Sequence, residues 1–561
     1  MKRIVKTLSF SFVLPVAIAA AVSSGHASQQ ARPTWKKGEL VPLTGRPNPL
    51  GLSPSELDRS VRAGKLHALQ YPIEITGTVA PYNAMVRILD QQLGGALGSA
   101  DGVFAWLGLS VYPATSQDRV PESPYAVPFP AEGRPDYRMG VTLVQREDRG
   151  FTLSCAACHS GNLFGRPVLG LTNRFPRANE FYFLGKQAAM TVPPQTFRTL
   201  TGATPGEMAM YDTLREHVRF IGPKMPQLLG LDSSVAHVSL SLSHRGKDGW
   251  ATKDPFTAVF PRDNPLNTEV ADSKPAVWWN VKYKNRWGLD GTAVSGNPLY
   301  MVFLWNEIGR GTDLHELENW WDGNQKVIDE LTSAVFATQA PRFTDFMPAE
   351  KISLERAKRG EVVFNQNCAG CHGTYLKAWN QPRAWAKTPT ELLATTEVRY
   401  HETTPVIDVG TDPGRYIGMR SLAQDLNRLI ISQNKGVLYE EEKGYVPPPL
   451  VGIWARWPYF HNNSAPSLCA VLTRSELRPK RYTAGPAEDP ALDFDVECNG
   501  YPSGANVPEK WVKNETSNYD TSRRGLSNSG HDVGIFVDRV TGKEILTPEN
   551  KTDLISFLQT L

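Results

Sequence analysis

The chain has 561 residues, of which 41% are hydrophobic and 21% are charged, and its formal net charge is +3. These proportions are ordinary for a globular protein and exclude a disordered or fibrous one. The near-neutral charge argues against nucleic acid or an anionic membrane surface as a partner. Since the chain is too long for one hydrophobic core, we expect two large domains.

Residues 1–27 have the pattern of a secretory signal sequence. Three cations within the first six positions precede an apolar stretch from Leu8 to Val22, and Gly25-His26-Ala27 forms a small-x-small cleavage site. The apolar stretch is shorter than the roughly 20 residues that span a bilayer. We therefore expect cleavage before Ser28, no transmembrane anchor in the mature chain, and a periplasmic or secreted location.

The first chemical motif is Cys155-Ala-Ala-Cys158-His159, which follows two short strand-like segments at residues 140–145 and 150–154. Two thiols three positions apart can add across the two vinyl groups of haem, and the adjacent histidine then lies under the iron as an axial ligand. A thioredoxin-type redox pair or half of a zinc site is the alternative. Neither alternative requires a histidine after the second cysteine.

The stretch from Ser160 to Pro348 has no further haem motif and is rich in proline, phenylalanine and tryptophan. A haem needs far fewer residues to enclose it, so we interpret the surplus as walls around the first haem and around a substrate cavity. A structural insertion without a ligand is the alternative. Trp278 and Trp279 lie here, and either could form a dry distal wall over one haem face or simply pack in the core.

The second motif, Cys368-Ala-Gly-Cys371-His372, repeats the haem-attachment pattern, so the sequence predicts two covalently bound haem c groups. Residues 353–367, which lead into it, have apolar side chains at helical spacing and Ser353 as a suitable N-cap. Thr547-Pro548 predicts the start of a last helix. Such first and last helices are typical of a class I cytochrome c domain.

These patterns predict a mainly α protein with extensive loops, built from two cytochrome c-like haem domains of which the first is heavily elaborated. We place the signal sequence at residues 1–27, the first haem domain with its large loop-rich insertion at residues 28–345, and the class I cytochrome c-like domain at residues 346–561.

The second axial ligand of each iron decides the function, because six-coordinate iron passes electrons whereas five-coordinate iron can bind dioxygen or peroxide. For the second haem we expect His531, which lies in a glycine-containing loop shortly before the last helix. The alternatives are His461, His401 and Met419. We interpret His461 more readily as a hydrogen-bonded loop histidine or one near a haem propionate.

The first haem has no distinctive second ligand in the sequence. Four histidines are candidates for this ligand: His217, His237, His244 and His315. A sixth position left open is an interpretation of at least equal weight. The two remaining cysteines, Cys469 and Cys498, would form a disulfide in an oxidising compartment, with free buried thiols as the alternative.

The chain resembles the rubber oxygenase (latex-cleaving) group of secreted di-haem c-type cytochromes, which is related to the bacterial di-haem cytochrome c peroxidase superfamily. The similarity runs in order from residue 80 onward. The stretches that carry it are Cys155–Gly161, Trp278-Trp279 with Lys282–Arg286, Asp408–Arg415, Gly452–Ala455, Pro458–Asn462, Tyr519–Thr521 and Ser527–His531. One position departs from the pattern, because Asn463 stands where members of the group usually carry glycine.

The resemblance implies a five-coordinate first haem on His159 that binds dioxygen, and a six-coordinate second haem on His372 and His531. It also implies a distal tryptophan, at Trp279 or Trp278, and oxidative cleavage of carbon–carbon double bonds in polyisoprene. The expected partners are therefore an apolar small molecule or polymer, dioxygen or peroxide, and a redox partner protein.

Three functions remain open on the sequence alone. The first is an oxygenase, in which the first haem binds dioxygen beside an alkene in a dry pocket. The second is a peroxidase, which would need an acid–base residue beside the bound peroxide. The third is an electron-transfer cytochrome in which both irons are six-coordinate, and the long tryptophan-rich stretch after His159 argues mildly against it.

Overall fold

The computed structural model describes residues 40–42, 50–71, 74–90, 97–114, 125, 127–294, 297–513 and 518–561. The expected signal sequence, residues 1–27, lies outside the described residues. Within the described ranges the protein is mainly α-helical, with short strands and long irregular connections, which confirms the predicted mainly α fold with extensive loops.

The strands of the described chain form small antiparallel sheets. Their bounds are β1 Leu40–Pro42, β2 Ala80–Pro81, β3 Val141–Gln145, β4 Arg149–Leu153, β5 Ser160–Leu163, β6 Arg166–Leu169, β7 Thr374–Lys377, β8 Thr395–Arg399, β9 Arg481–Thr483 and β10 Asn518–Asp520. Strand order is β2-β4-β3 and β1-β8-β7 in the three-stranded sheets, and β5 pairs with β6 and β9 with β10.

The helices fall into two groups along the described chain. Those before residue 345 are α1 Pro54–Gln70, α2 Tyr82–Ile88, α3 Ala100–Trp106, α4 Ala156–His159, α5 Ala178–Thr191, α6 Pro194–Thr201, α7 Pro205–Val218, α8 Ser234–Ser243, α9 Pro255–Val259, α10 Pro298–Gly309, α11 Leu314–Gly323 and α12 Gln325–Ala337. Those after it are α13 Leu354–Asn367, α14 Ala369–His372, α15 Pro389–Leu392, α16 Gly414–Asn427, α17 Ile430–Asn434, α18 Leu468–Val471, α19 Glu509–Val512 and α20 Pro548–Leu558.

Helices α13 and α20 cross tightly and form the frame of the second motif. Ser353 caps α13 by accepting a hydrogen bond from a backbone N–H, and Thr547 caps α20 in the same way. At the crossing, a Cβ on Gly360 would lie 2.0 Å from the carbonyl oxygen of Asp553. Only glycine therefore permits this approach, and both predicted helices are confirmed.

The first motif is reached from a β-hairpin rather than from a helix. Strands β3 and β4 pair antiparallel in register, and β4 ends at Leu153, two residues before Cys155. The strand-like approach predicted from the sequence is confirmed.

The stretch between Ser160 and Pro348 contains helices α5 to α12 joined by loops. The fully buried α8 packs against α10 and α16, so the insertion is tied to the helices of the second half of the chain. The boundary between residues 345 and 346 stays a prediction. None of the described helices is both long enough and apolar enough to cross a membrane.

The largest apolar core surrounds the second motif. It contains side chains of α13 and α20 together with three fully or almost fully buried tryptophans, Trp279, Trp454 and Trp457. Because Trp279 belongs to the first half of the chain, this core joins residues from both sides of the predicted boundary.

Candidate functional site

The second motif forms a single helical turn directly after α13. Cys368 is the C-cap of α13, and the backbone N–H groups of Cys371 and His372 donate to its carbonyl at 3.1 and 3.0 Å. Gly373 follows with φ 75°, and a Cβ there would lie 2.1 Å from the carbonyl oxygen of Arg399. The turn therefore brings both thiols and the imidazole together, and glycine is needed where the chain leaves it.

The first motif forms the same turn. The N–H groups of Cys158 and His159 both donate to the carbonyl of Cys155, at 3.3 and 3.0 Å. The thiols and the imidazole of each motif are half-buried, while the alanine after the first cysteine is fully buried. The thiols and the imidazole of the second motif line a cavity inside the protein.

Each motif histidine is held by a backbone carbonyl. Nδ1 of His159 lies 2.9 Å from the carbonyl oxygen of Ala276, and Nδ1 of His372 lies 2.8 Å from that of Pro448. Because a carbonyl only accepts, Nδ1 carries the proton in both rings, and Nε2 keeps the lone pair that binds iron. Burial lowers the pKa of both imidazoles to about 4, so they are neutral and able to ligate at neutral pH.

A mostly apolar cavity opens beside the second motif, and His531 lies across it from His372. The two ring centroids are 6.4 Å apart and the rings are inclined by 56°. Metal–imidazole bonds in proteins are about 2 Å long, so this separation suits two imidazoles on opposite faces of one metal. The geometry supports the predicted pairing of His372 with His531.

The backbone around His531 fixes the side chain in this position. Its N–H donates to the carbonyl of Val409 at 2.8 Å, and its φ of 57° lies in the left-handed region. Gly530 precedes it, where a Cβ would lie 2.2 Å from the backbone of Gly410. The glycine in this loop, which the sequence singled out, thus allows the close approach that aims His531 into the cavity.

The residues around the second motif fit a covalently held haem. Cys368, Cys371, His372 and His531 all line the cavity, and the rest of its wall is largely aliphatic and aromatic. Within the described ranges, no three His, Cys, Asp or Glu side chains converge as they would around a bare metal ion. The pair of histidines therefore suits an iron that brings its own equatorial ligands, as haem does.

The other predicted ligands of the second haem have different surroundings. Nε2 of His401 is bonded to the carbonyl of Cys371 at 3.0 Å, and Met419 is buried in a separate core around α8 and α16. His461 lines the cavity, but its ring is stacked on Tyr445 with 4.0 Å between centroids.

The four candidate second ligands of the first haem lie in different parts of the described structure. Ring nitrogens of three of them bond backbone carbonyls: His217 to Thr213, His237 to Gly309 and His244 to Ala258. The fourth, His315, stacks on Trp250 at 3.7 Å. In the described part of the chain, none of them forms a ring contact with His159.

Of the two tryptophans, Trp278 lies beside the histidine of the first motif. The Trp278 ring lies 5.7 Å from the His159 ring, two residues beyond the carbonyl that accepts the Nδ1 proton. Trp279 is fully buried, and its Nε1 donates to the carbonyl of Val451. Both tryptophans therefore pack as core residues, Trp278 beside His159 and Trp279 in the core around the second motif. The distal role of either tryptophan stays a prediction.

Cys469 and Cys498 form a disulfide, as predicted, with an S–S distance of 2.10 Å. Cys469 lies in α18, whose neighbouring side chains Leu468, Val471 and Leu472 line the cavity of the second motif. The departure at Asn463 leaves the local backbone intact, because Asn463 adopts φ 61°, a conformation that asparagine tolerates better than most residues.

Sequence reasoning missed the two carbonyls that hold the motif histidines and the cations that line the cavity. Ala276 and Pro448 lie 117 and 76 positions from their histidines, and a carbonyl has no signature in the sequence. The run of three prolines ending at Pro449 was the one available signal, since proline leaves a carbonyl that is not committed to a helix. Lys284 lies in the Lys282–Arg286 stretch that carries the resemblance, but nothing in that stretch indicated a cavity, and Arg456 carried no signal.

Comparison with known proteins supports a c-type cytochrome. Residues 444–483 match the RoxA-like, cytochrome c-like family, and this segment contains Pro448, Cys469 and much of the cavity wall. Two uncharacterized proteins of Sinorhizobium fredii (strain NBRC 101917 / NGR234) are also similar. Protein y4iM is 24% identical over 252 residues, which is 42% of this chain and 56% of that protein. Protein y4iJ is 30% identical over 137 residues, which is 24% of this chain and 20% of that protein. The chain thus spans about half of the first relative and a fifth of the second.

Proposed function

We propose that this c-type cytochrome, with its RoxA-like domain, is an exported di-haem oxidoreductase. In this proposal the haem at His159 reacts with dioxygen, and the haem at His372 and His531 carries electrons. The substrate is an apolar, polyisoprene-like small molecule or polymer whose carbon–carbon double bonds are cleaved. A redox partner protein would set the oxidation state of the electron-carrying haem.

The observation that carries the proposal is the difference between the two motif histidines. His372 has another imidazole across its cavity at 6.4 Å, whereas His159 has no facing imidazole among the described residues. A haem ligated on one side only leaves an iron position for dioxygen, and a haem ligated on both sides does not. The two centres are therefore suited to different tasks.

The chemistry balances without an external electron donor. One dioxygen molecule and one carbon–carbon double bond give two carbonyl groups, because each former alkene carbon takes one oxygen atom as the double bond breaks. The bound haem supplies the iron that activates dioxygen. The chain's own contribution is to hold the His159 ring through the Ala276 carbonyl.

An apolar cavity in the first half of the described chain supports an apolar substrate. It lies between β4, α5 and α7, and its wall includes Phe151, Phe181 and Leu214. Phe151 belongs to the strand that leads into Cys155. The ammonium of Lys186, the cation in this wall, donates to the carbonyl of Ile221, which leaves the cavity with an apolar surface suited to a hydrocarbon.

Export is supported by the disulfide between Cys469 and Cys498, since disulfides persist in oxidising compartments and are rare in the cytosol. The haem motifs are compatible with the same compartment. A periplasmic or secreted location remains part of the proposal.

The test begins with absorption and low-temperature EPR spectra of the purified protein, as isolated and after adding dioxygen or hydrogen peroxide. We expect one low-spin haem and one that is high-spin or dioxygen-bound. Turnover is then measured with polyisoprene latex or an isoprene oligomer under ¹⁸O₂, with incorporation of label into both carbonyl products as the expected result.

Other outcomes would replace the proposal. Turnover that requires peroxide and does not incorporate label from dioxygen would assign a peroxidase. Two low-spin haems that respond to neither oxidant would leave electron transfer as the function.

A further inference from the structure

The cavity of the second motif contains nitrogen donors that have no acceptor. Nε and Nη1 of Arg456 and Nε2 of His461 are buried in its wall and make no hydrogen bond within the described structure. The ammonium of Lys284 lines the same cavity and forms no ion pair with any described carboxylate. Unpaired donors of this kind are costly inside a protein, because they have lost water and gained nothing in return.

The positive charge in this cavity is not balanced by the protein. Lys274, Lys284 and Arg456 all contribute to the wall, whereas no described aspartate or glutamate does. The nearby carboxylate of Asp290 is already bound to Arg415 at 2.9 Å. Burial, followed by the charge of Arg456, lowers the pKa of Lys284 to about 8, so Lys284 is still mostly charged at neutral pH.

His461 adds a neutral donor to the two cations. Burial, assisted by the charges of Arg415 and Lys274, lowers the pKa of His461 to about 3, so the ring is uncharged at neutral pH. An uncharged ring with a proton on Nε2 donates one hydrogen bond into the cavity. The stacking on Tyr445 holds the ring in place.

We propose that Lys284, Arg456 and His461 form the propionate site of the second haem. Haem c carries two carboxylates on the edge opposite its thioether bonds, and these are the anions that a haem attached at Cys368 and Cys371 would bring into this cavity. Charge-assisted hydrogen bonds from a guanidinium and an ammonium to carboxylates are among the strongest in proteins.

This proposal rests on the presence of a haem at the second motif, which is part of the proposed function, but not on the reaction of the first haem. It has a redox consequence. Cations beside a haem favour the reduced iron, which carries one positive charge fewer, so Lys284 and Arg456 raise the midpoint potential of the second haem.

The experiment uses the complete holoprotein with both haems. The variants are Lys284→Met, Arg456→Met, Arg456→Lys and His461→Phe. The matched control is Lys326→Met, which removes a cation from a lysine whose side chain is 87% exposed on α12. Haem content is measured by the pyridine haemochrome assay, the midpoint potential of the low-spin haem by spectroelectrochemistry, and the propionate bending modes by resonance Raman spectroscopy.

We expect a more negative potential in both methionine variants, partial recovery in Arg456→Lys, and shifted propionate modes in all cavity variants, with no change in Lys326→Met. Unchanged potential and unchanged modes in Lys284→Met and Arg456→Met would overturn the proposal. If Arg456→Met does not fold, Lys284→Gln gives the same readouts at a half-buried position.

The two proposals fail in different ways. If the wild-type protein shows no alkene turnover but the variants show the expected shifts in potential, the oxygenase function is refuted and the propionate site stands. If the wild-type protein shows turnover but the variants show no shifts, the propionate site is refuted and the oxygenase function stands. A wild-type protein with a single haem, attached at the first motif, would refute the propionate site together with the electron-carrying role.

Discussion

Removing the disulfide should destabilise the region that encloses the second motif. The double variant Cys469→Ala/Cys498→Ala opens a covalent loop whose ends are 29 positions apart. A disulfide restricts the unfolded chain, and for a loop of this length the loop-closure entropy corresponds to about 3.6 kcal/mol at 25 °C. Since Leu468, Val471 and Leu472 beside Cys469 line the haem cavity, the loss should appear in the unfolding of that centre.

The assay is urea unfolding followed by the absorption of the low-spin haem, with the free energy taken from the midpoint and the slope. Thiols do not cleave the thioether bonds of haem c, so a reductant opens only this crosslink. Wild type and variant should therefore unfold at the same urea concentration when both are reduced. A difference below about 1 kcal/mol between the oxidised wild type and the variant would refute the loop-closure argument.

Three further changes test other parts of the structure. Gly360→Ala should lower the free energy of unfolding in urea by about 1–3 kcal/mol, because it overpacks the crossing of α13 and α20. The control Gly323→Ala, where no atom lies within 4 Å of the new Cβ, should lower it little. Equal losses in the two variants would contradict the close packing of α13 against α20. His531→Ala should convert one haem from low-spin to high-spin in the EPR spectrum, and an intact low-spin signal would exclude His531 as the ligand. His237→Gln should reduce acid sensitivity. Burial lowers the pKa of His237 to about 4, while an unfolded histidine titrates near 6.5. Between about pH 4 and pH 6.5 this histidine binds a proton in the unfolded chain but not in the folded one. The free energy of unfolding therefore falls as the pH drops below about 6.5. Wild type should lose up to about 3 kcal/mol more than the variant between pH 7 and pH 4; equal losses in the two proteins would show that His237 is not responsible.

The parts of the site that depend on short stretches of chain could be predicted from the sequence. The helical turn of each motif, the capped helices α13 and α20 and the strand before Cys155 follow from local spacing and capping. The residue that faces His372 was harder to predict, since four residues after position 346 were candidates. The glycine before His531 was informative because it permits the close approach to Gly410 that turns the ring into the cavity.

The parts that depend on distant backbone atoms could not be predicted. The carbonyl of Ala276 is as important to His159 as any side chain, but every residue has a carbonyl, and only the folded chain shows which one is near. The same is true of Lys284 and Arg456, because most lysines and arginines lie on the surface. Helix α8 was not predicted either, since its residues 235–243 are all buried and leave no solvent-exposed face to reveal the helical period.

The position of Ala276 has a consequence for how the protein tolerates mutation. Its carbonyl holds the histidine of the first motif, while the same residue forms part of the wall of the second cavity. No side-chain substitution removes a carbonyl, so the attachment of His159 is robust to exchange at this position. The side chain of residue 276 instead borders the cavity of the second motif. A larger side chain at this position is therefore expected to change that cavity, while the hydrogen bond to His159 stays with the backbone.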